Sequence, residues 1–343
     1  MIRRLAGATL VIVAVACTGS STNGSRAGSA TLSRIRARGS VKCGITQGAG
    51  FATSDSRGQW QGFDVDFCRA VAAAVLNDPA KVTFIPYTQQ QRFAGLQSGE
   101  VDLLANGTSL TISRVMQRHL HFGPVYFYDG QGFMVPRSSG VTSATRLDGA
   151  TICVQQGTTT ESNLADFARR HAITFHPIVI EDLRGVVSAL AGGRCDAISQ
   201  DGAGLATTRT MLQRPGDYVI LPDRISKEPI AAVLRSGDDQ WLEVVNWVFR
   251  TPMQAEELGI DQRKAKDSLQ SSDPTVRRFL GLEPGVVNGF GLDPRWTYNV
   301  IAAVGNYADI FDRNLGMNTP LRLERGMNRL WSNGGLMYSP PFR

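Results

Sequence analysis

The sequence predicts an α/β protein of two similar lobes, each with a mostly parallel sheet and flanking helices. Three observations lead to this prediction. Strand-like apolar runs alternate with stretches of helical periodicity, an order typical of parallel sheets with helical crossovers. The same order of elements then occurs a second time. Finally, the chain has 343 residues, 42% of them hydrophobic, which is enough for two domains of ordinary size or one large one.

The first copy of the repeat begins with the strand VKCGIT, residues 41–46. The helix that starts at Asp64 carries apolar residues at helical spacing, so one of its faces is expected to be buried. The copy then continues with a strand, a helix and a strand: KVTFIPY (81–87), QQRFAGLQS (90–98) and VDLLA (101–105).

The second copy has the same order of elements, from residue 151 to residue 199. It consists of TICVQQ (151–156), SNLADFARRH (162–171), ITFHPIVI (173–180), DLRGVVSALAG (182–192) and CDAIS (195–199). The two third strands also align in sequence, LQSGEVDLLANG (96–107) with LAGGRCDAISQD (190–201). This alignment pairs Leu96 with Leu190, Gly99 with Gly193, Asp102 with Asp196, and Gly107 with Asp201.

The alignment also predicts where a ligand would bind. In open α/β sheets, ligands bind beyond the carboxyl ends of the strands. Asp201, within AISQDGAG, and the segment from Asn106 to Ser109 follow corresponding strands. If the lobes face each other, both segments line one cleft.

The cysteines fit the same division. Apart from Cys17, the chain has Cys43, Cys68, Cys153 and Cys195, an even number without a CxxC or a zinc-like spacing. Three pairings are possible, but the repeat puts one pair of cysteines in each lobe. We therefore predict the disulfides Cys43–Cys68 and Cys153–Cys195.

The N-terminus reads as an export signal. Residues 1–17, MIRRLAGATLVIVAVAC, have two arginines and then an apolar run too short to span a bilayer. The run ends at Cys17 in a pattern that resembles a lipoprotein signal, so we expect Cys17 to be the acylated mature N-terminus; the alternative is a plain secretory peptide. Residues 18–33 are rich in serine and glycine and are expected to form a flexible tether.

Several classes of function lack support. The net charge of +6 is spread along the chain without a dense basic run, so a nucleic-acid interface is not expected. The pair His119 and His121, with His171 and His176, is interpreted as solvated or structural, so neither a metal nor a cofactor is predicted.

Enzyme motifs are missing as well. The sequence has no GxSxG, HExxH, P-loop or complete GxGxxG motif. Asp55 and Asp64 are interpreted as turn and cap residues and not as general acids.

Two segments have the chemistry to bind an anion. In TSLTISR, residues 108–114, the hydroxyl groups of Thr108, Ser109 and Thr111 precede a short helical stretch with Arg114. A guanidinium presents a planar fork of donors that matches a carboxylate. The alternative is a surface arginine on a helix.

The second segment is GTTTE, residues 157–161. Thr158 and Glu161 have the spacing of a capping box, so a helix should start here with N–H groups that attract negative charge. The alternative is plain capping. With Asp201 opposite to hold an ammonium, the three elements together describe a site for an α-amino acid.

The chain resembles the type II periplasmic amino-acid-binding proteins of ABC transporters (solute-binding protein family 3), and is closest to their general L-amino-acid-binding branch. The likeness runs from about residue 32 to the C-terminus. The motifs that carry it are GQWQGFDVDFCRAVAAAV (58–75), RFAGLQSGEVDLL (92–104), YDGQGFMVP (128–136), GTTTESNLADF (157–167), YVILPDRISKEPIAAVLRSGDDQW (218–241) and GGLMYSPPFR (334–343).

The resemblance implies a two-lobe periplasmic binding protein fold with a two-strand hinge near 131–136 and 226–233. Lobe 1 would comprise residues 34–131 and 230–343, including a C-terminal helical extension that packs on it, and lobe 2 would comprise residues 132–229. It also implies an extracytoplasmic monomer that binds free L-amino acids and delivers them to the permease and ATPase subunits of an ABC transporter.

For the site, the resemblance implies that Arg114 holds the α-carboxylate with help from Ser109 and the helix start at Thr158 and Thr159. Asp201 would hold the α-ammonium. Two further residues, Gln47 and Phe51, would lie near the ligand's side chain.

One departure from the family concerns the side-chain pocket. The branch has Arg-Asn-Thr-Thr-Trp-Thr where this chain has NGTSLT, residues 106–111. The loop 48–51 also lacks the bulky aromatic platform of narrower relatives. Both features predict a roomy pocket, which fits broad specificity including polar and acidic amino acids, while the α-group contacts are retained.

Two alternatives remain. A periplasmic dehydratase on the same scaffold would use Asp201 or Glu181 as a general acid or base, although no catalytic pair of carboxylates is evident. A sensor that presents a bound amino acid to a receptor has the same sequence features as a transport protein.

Overall fold

The computed structural model describes residues 29–118, 120–283 and 289–343. The predicted signal peptide, Cys17 and His119 lie outside these ranges. The strands are β1 Val41–Ile45, β2 Thr53–Ser54, β3 Trp60–Gln61, β4 Val82–Pro86, β5 Leu103–Leu104, β6 Leu120–Asp129, β7 Gln131–Pro136, β8 Thr151–Gln155, β9 His176–Ile180, β10 Ala197–Asp201, β11 Tyr218–Ile220 and β12 Glu228–Arg235. The helices are α1 Ala30–Arg38, α2 Phe63–Leu76, α3 Arg92–Ser98, α4 Ile112–Arg118, α5 Thr160–His171, α6 Leu183–Ala191, α7 Gly202–Thr210, α8 Asp239–Glu257, α9 Ala265–Ser268, α10 Pro274–Phe279, α11 Trp296–Val304 and α12 Tyr307–Asn314.

The two main sheets have equivalent topologies, which confirms the predicted two-lobe α/β fold. The lobe 1 sheet has the order β4-β1-β5-β12-β6, and the lobe 2 sheet has the order β9-β8-β10-β7-β11. In each sheet three strands from the repeat run parallel, and two further strands join antiparallel. The parallel part of each sheet is the βαβαβ unit that the repeat predicts.

The chain crosses between the lobes at two places close to the predicted hinge. Asp129 still pairs with Glu228 in the lobe 1 ladder, whereas Gln131 already pairs with Asp201 in lobe 2. Gly130 alone therefore separates the two ladders. The predicted first crossing, 131–136, is strand β7 of lobe 2, so the predicted lobe boundary needs correction.

The second crossing is the segment 221–227 between β11 and β12, and it runs beside the first. A Cβ atom built on Gly130 would lie 2.8 Å from the main-chain oxygen of Ser226. Real Cβ atoms do not approach so closely, so this position requires glycine. Residues 228 and 229 pair within lobe 1, not lobe 2 as predicted.

Helix α1 corrects the predicted tether, which was expected to extend to residue 33. Ser29 caps this helix by accepting a hydrogen bond from the N–H of Leu32 at 3.0 Å. Leu32 and Ile35 are buried against lobe 1. A capping serine followed by apolar residues three positions apart therefore makes residues 29–33 part of lobe 1 and not of a tether.

The C-terminal helices pack on lobe 1, as predicted. Trp241 and Trp296 are buried in the same core as β1 and α2, and Trp241 Nε1 donates to the main-chain oxygen of Asp102 at 3.1 Å. Trp331 of the C-terminal extension is an exception, because 56% of its surface is exposed.

Both disulfides lie within single lobes. Cys43 is bonded to Cys68, which ties β1 to α2, and Cys153 is bonded to Cys195, which ties β8 to the segment before β10. The Cα atoms are 6.2 and 5.7 Å apart, respectively. These are the pairs that the repeat predicts.

None of the helices in the described part of the chain combines the length and the apolar character needed to span a bilayer.

Candidate functional site

A cavity of about 140 Å³ lies between the lobes, at the carboxyl ends of the parallel strands. This is close to the size of a protein cavity that holds one benzene-sized molecule. The predicted site residues that line it are Gln47, Phe51, Ser109, Arg114, Thr158, Thr159 and Asp201. Further residues that line it are Asp64, Arg92, Asn106, Asp129, Gln155, Thr160 and Gln200.

Arg114 lies on α4 with its side chain turned toward the cavity, and only 8% of its surface is exposed. Its Nη1 atom donates to the main-chain oxygen of Ser109 at 2.7 Å. Its guanidinium carbon lies 5.6 Å from the ring centroid of Phe93. These contacts hold a positive charge at the cavity wall.

Thr108 does not line the cavity, which corrects its predicted role as a ligand contact. Its side chain is fully buried, and its hydroxyl donates to Asn106 Oδ1 at 2.8 Å. Its main-chain oxygen accepts from Ala231, and Ser109 forms an isolated bridge with Ile230. The segment is thus anchored to β12, and Thr108 acts on the site through Asn106.

The start of α5 differs from the predicted capping box. The helix begins at Thr160 after the N-cap residue Thr159, whose side chain makes no capping hydrogen bond. The N–H of Thr160 donates to Thr158 Oγ1 at 3.3 Å. Thr158 instead donates to the main-chain oxygen of Gln155 at 2.8 Å, because the turn at Gly157 directs it back toward β8. The helix start therefore faces the cavity without the Thr158–Glu161 capping box that the spacing predicted.

Asp201 ends β10 and faces the cavity. It precedes α7 but does not cap that helix, and among the described residues none donates a hydrogen bond to its carboxylate. Burial raises its pKa well above the usual value, and the nearby Asp129 and Glu228 raise it further, while Arg114 and Arg92 lower it. Within the described ranges, the site thus holds a carboxylate to which no residue donates a hydrogen bond.

Asp129 caps α7 in place of Asp201, and sequence reasoning missed it. Its carboxylate accepts from the N–H groups of Gly130 and Ala203 at 2.8 Å and of Gly202 at 3.1 Å. Burial raises the pKa of Asp129 to about 6, against the opposing effect of these hydrogen bonds and of Arg224. Because Asp129 satisfies the helix start, Asp201 remains available to a ligand.

Arg92 is a second buried cation that sequence reasoning missed. It opens α3, is 1% exposed, and donates across the cleft to the main-chain oxygen of Gly157 at 3.3 Å. Its guanidinium carbon lies 4.5 Å from the ring centroid of Phe93. One sequence signal exists, because the repeat alignment places Arg92 opposite the apolar Val186 on the buried face of α6.

Further contacts join the lobes at the cavity rim. Thr207 Oγ1 of lobe 2 donates to the main-chain oxygen of Ala49 at 2.9 Å. Thr159 Oγ1 donates to Glu228 Oε2 at 3.2 Å. On the lobe 1 wall, Phe51 packs edge-on against Phe127 with ring centroids 5.7 Å apart.

Asp64 is not the helix cap that the sequence predicted, because Gly62 is the N-cap of α2. Asp64 is buried, lines the cavity and accepts a hydrogen bond from the Tyr126 hydroxyl at 2.7 Å. Burial raises its pKa to about 7, an effect that this hydrogen bond partly opposes. Asp55, in contrast, accepts the N–H groups of Arg57 and Gln59, as a turn residue does.

The described residues contain no group of three His, Cys, Asp or Glu side chains that could hold a metal ion. The exposed side chains His171 and His176 lie on the lobe 2 surface. His119 of the predicted HxH pair lies outside the described residues.

Two curated relatives align with nearly all of the chain. "General L-amino acid-binding periplasmic protein AapJ" of Rhizobium johnstonii is 47% identical over 93% of this chain and 94% of its own length. "Glutamate/glutamine/aspartate/asparagine-binding protein BztA" of Rhodobacter capsulatus is 47% identical over 92% of this chain and 94% of its own length.

A solved structure has the same fold over the same extent. A periplasmic binding protein from Brucella ovis with glutathione bound superposes with a TM-score of 0.89 and 45% identity. The match covers 91% of this chain and 99% of that protein.

A family model describes most of the two lobes. Residues 41–264 match the model for bacterial extracellular solute-binding proteins, family 3. This range contains both sheets, both interlobe crossings and every cavity residue discussed above. The chain belongs to family 3 of the bacterial extracellular solute-binding proteins.

Proposed function

We propose that the protein captures free L-α-amino acids between its lobes and delivers them to the membrane permease of an ABC transporter. The single observation that carries the proposal is the Asp201 carboxylate. It faces the cavity without a hydrogen-bond donor in the described part of the chain, while the Arg114 guanidinium lines the same cavity. An isolated charge in a buried site is costly, and an amino-acid ammonium is the partner that would neutralise it.

The α-carboxylate of the ligand would bind to Arg114, Ser109 and the start of α5 at Thr158 and Thr159. The guanidinium supplies a charge-assisted fork of donors, and the helix start adds N–H groups and the positive end of a helix dipole. Because every α-amino acid has these two charged groups, such a site would bind amino acids broadly. Gln47 and Phe51 line the same cavity and would contact the side chain.

The relatives support the same class of ligand. AapJ is named as a general L-amino-acid-binding protein, and BztA as a binding protein for glutamate, glutamine, aspartate and asparagine. Both names describe binding and not catalysis, which argues against the dehydratase alternative. The structure adds a physical reason, since Glu181 is exposed and does not line the cavity.

The cellular setting follows from the family and the sequence. We place the protein outside the cytoplasm, as a monomer that contacts the permease and ATPase complex in its ligand-bound form. Acylation at Cys17 would hold it at the membrane surface. Closure would be a hinge motion at Gly130 and at the segment 221–227, because these are the two crossings between the lobes.

The experiment is isothermal titration calorimetry of the protein, without its signal segment, against each standard L-amino acid. We expect binding to several of them and no product on incubation with prephenate or arogenate. Arg114→Ala is expected to abolish binding, because truncating one partner of a buried charge pair costs about 2–5 kcal/mol.

A surface variant, Arg169→Ala, serves as the control, since Arg169 is an exposed arginine on α5. Near-normal affinity of Arg114→Ala would contradict the assignment of the carboxylate site. A wild-type protein that binds no amino acid would contradict the function itself.

A further inference from the structure

The amide of Asn106 is a buried polar group that the proposed contacts with the ligand's α-groups leave unused. Asn106 lies two residues beyond β5, lines the cavity and is 1% exposed. Its Nδ2 atom has no hydrogen-bond partner within the described ranges of the chain. An unsatisfied buried donor is costly and uncommon, so a donor in this position points to a ligand that satisfies it.

The orientation of this amide follows from Thr108. The Thr108 hydroxyl is fully buried and donates to Asn106 Oδ1 at 2.8 Å. If the amide were flipped, the hydroxyl proton would lose this acceptor, and the described residues show no second hydrogen bond for it. The hydrogen-bond network therefore assigns the oxygen of Asn106 to Thr108 and leaves its NH2 group as the unpaired donor of a residue that lines the cavity.

The opposite wall has an equivalent group. The repeat alignment pairs Asn106 with Gln200, which also lines the cavity. The oxygen of Gln200 likewise accepts from a threonine hydroxyl, that of Thr208, at 2.7 Å. Each lobe thus presents one amide whose oxygen is occupied and whose NH2 group is available as a donor.

The polar groups that line the cavity leave donors for a ligand with an additional acceptor. Arg114 and Asp201 would pair with the α-groups of an amino acid. Two further acids line the cavity, but Asp129 already accepts three main-chain N–H groups and Asp64 accepts the Tyr126 hydroxyl. Arg92 adds a second positive charge to the wall. The NH2 groups of Asn106 and Gln200 therefore remain as donors once the α-groups are bound.

We propose that Asn106 Nδ2, together with the amide of Gln200, binds an oxygen atom of the ligand's side chain. The residue would thereby select amino acids with a side-chain carboxylate or carboxamide over those with a cationic side chain. This inference rests on the proposed function, because it assigns the part of the amino acid that the α-group contacts leave free.

The test is Asn106→Asp, which keeps the shape and the Thr108 hydrogen bond but replaces the NH2 donor with a carboxylate oxygen. Calorimetry would compare L-glutamate and L-glutamine with L-alanine, which has no side-chain oxygen. We expect the affinity for glutamate and glutamine to fall on the order of 10- to 100-fold, since hydrogen bonds to a buried polar or charged ligand group are of that strength. Alanine affinity should change by no more than about threefold.

Two further variants separate the side-chain contact from a loss of folding. Asn106→Ala removes the donor without adding a charge and should give the same selective loss. Asn318→Asp makes the same chemical change at an exposed position and should alter no affinity. Melting curves of each variant show whether it is folded.

The outcomes distinguish this inference from the proposed function. An equal loss for alanine and glutamate would assign Asn106 to the α-groups or to the scaffold and overturn the inference, as would unchanged affinities. Wild-type protein that binds alanine but not glutamate or glutamine would overturn the inference alone. Wild-type protein that binds no amino acid would overturn the proposed function as well.

A positioning role for Thr108 gives an independent readout. Thr108→Val removes the hydroxyl that orients the amide, so it should reduce glutamate affinity more than alanine affinity. Thr108→Ser keeps the hydroxyl and should restore the wild-type ratio. A ratio that is the same in wild type and in Thr108→Val would contradict the assigned orientation.

Discussion

The two lobes have the same βαβαβ unit but different chemistry at its edge. In lobe 1, Asp102 Oδ2 accepts the N–H of Lys42 at 2.8 Å, and in lobe 2, Asp196 Oδ2 accepts the N–H of Thr151 at 2.8 Å. Five residues after this aspartate, lobe 1 has Gly107 and lobe 2 has Asp201. The shared aspartates fix the sheet, and the difference at the strand ends gives lobe 2 a carboxylate at the cavity where lobe 1 has no side chain.

The cores of the lobes also differ. Lobe 1 has one large cluster that takes in the C-terminal helices, together with a small cluster around Phe93. Lobe 2 has two modest clusters, one on each face of its sheet. A larger buried apolar area stabilises a domain more strongly, so lobe 2 is expected to be the less stable of the two.

The largest expected effect tests the difference between the strand ends. Asp201→Asn should weaken amino-acid binding on the order of 100- to 1,000-fold, because the ligand ammonium loses its buried counter-charge. Calorimetry with L-glutamate measures this loss. The matched control is Asp196→Asn, the same change five residues earlier on an exposed side chain, and equal losses in the two variants would contradict the role of Asp201.

The second prediction compares the disulfides. In the chain-entropy model each bond stabilises its lobe by roughly 3–4 kcal/mol, since the loops span 25 and 42 residues. Because lobe 2 is expected to melt first, replacing Cys153 and Cys195 with alanine should lower the temperature of the first melting transition. Replacing Cys43 and Cys68 should lower it less. Differential scanning calorimetry checks this order, and the reverse order would mean that lobe 1 limits stability.

The smallest effect concerns an acid that is buried at the start of a lobe 1 helix and exposed at the equivalent position of lobe 2. Asp64 is the second residue of α2 and is buried, whereas the second residue of α5, Glu161, is exposed. Because burial raises the pKa of Asp64 from 3.8 to about 7, the folded protein holds a proton there that the unfolded chain loses. The stability from this group is therefore fully present below about pH 4 and is lost as the pH rises toward 7.

Asp64→Asn should accordingly raise the melting temperature at pH 8 and flatten its dependence on pH between 4 and 8. Each kcal/mol corresponds to roughly 2–4 °C for a domain of this size. Glu161→Gln should leave the pH profile unchanged. If the melting temperature of Asp64→Asn depends on pH as strongly as that of the wild type, Asp64 does not titrate over this range.

The sequence was sufficient to predict the fold and several of the residues that line the cavity. Local periodicity predicts the strands and helices, and the repeat predicts the edge at which Asp201 and Ser109 meet. Two of the incorrect predictions, the capping box at Thr158 and the ligand contact of Thr108, were assignments of single hydrogen bonds. Such bonds depend on the exact turn that precedes them, which periodicity does not determine.

The residues that sequence reasoning missed are defined by contacts between distant parts of the chain. Asp129 caps a helix more than seventy residues away, and Arg92 reaches across the cleft to Gly157. The unpaired donor of Asn106 is visible only when its surroundings are known. The spacing of residues within one segment does not predict contacts between distant segments.

The position of β12 has a consequence for how the chain assembles as it is made. Lobe 2 is continuous in sequence from Gln131 to about residue 227, so all its strands are available before the C-terminal third is synthesised. The lobe 1 sheet has β12 between β5 and β6, and a core that needs Trp241 and Trp296. Nascent lobe 1 therefore has a gap in the centre of its sheet until β12 has been made, and its core is completed only when the C-terminal helices follow.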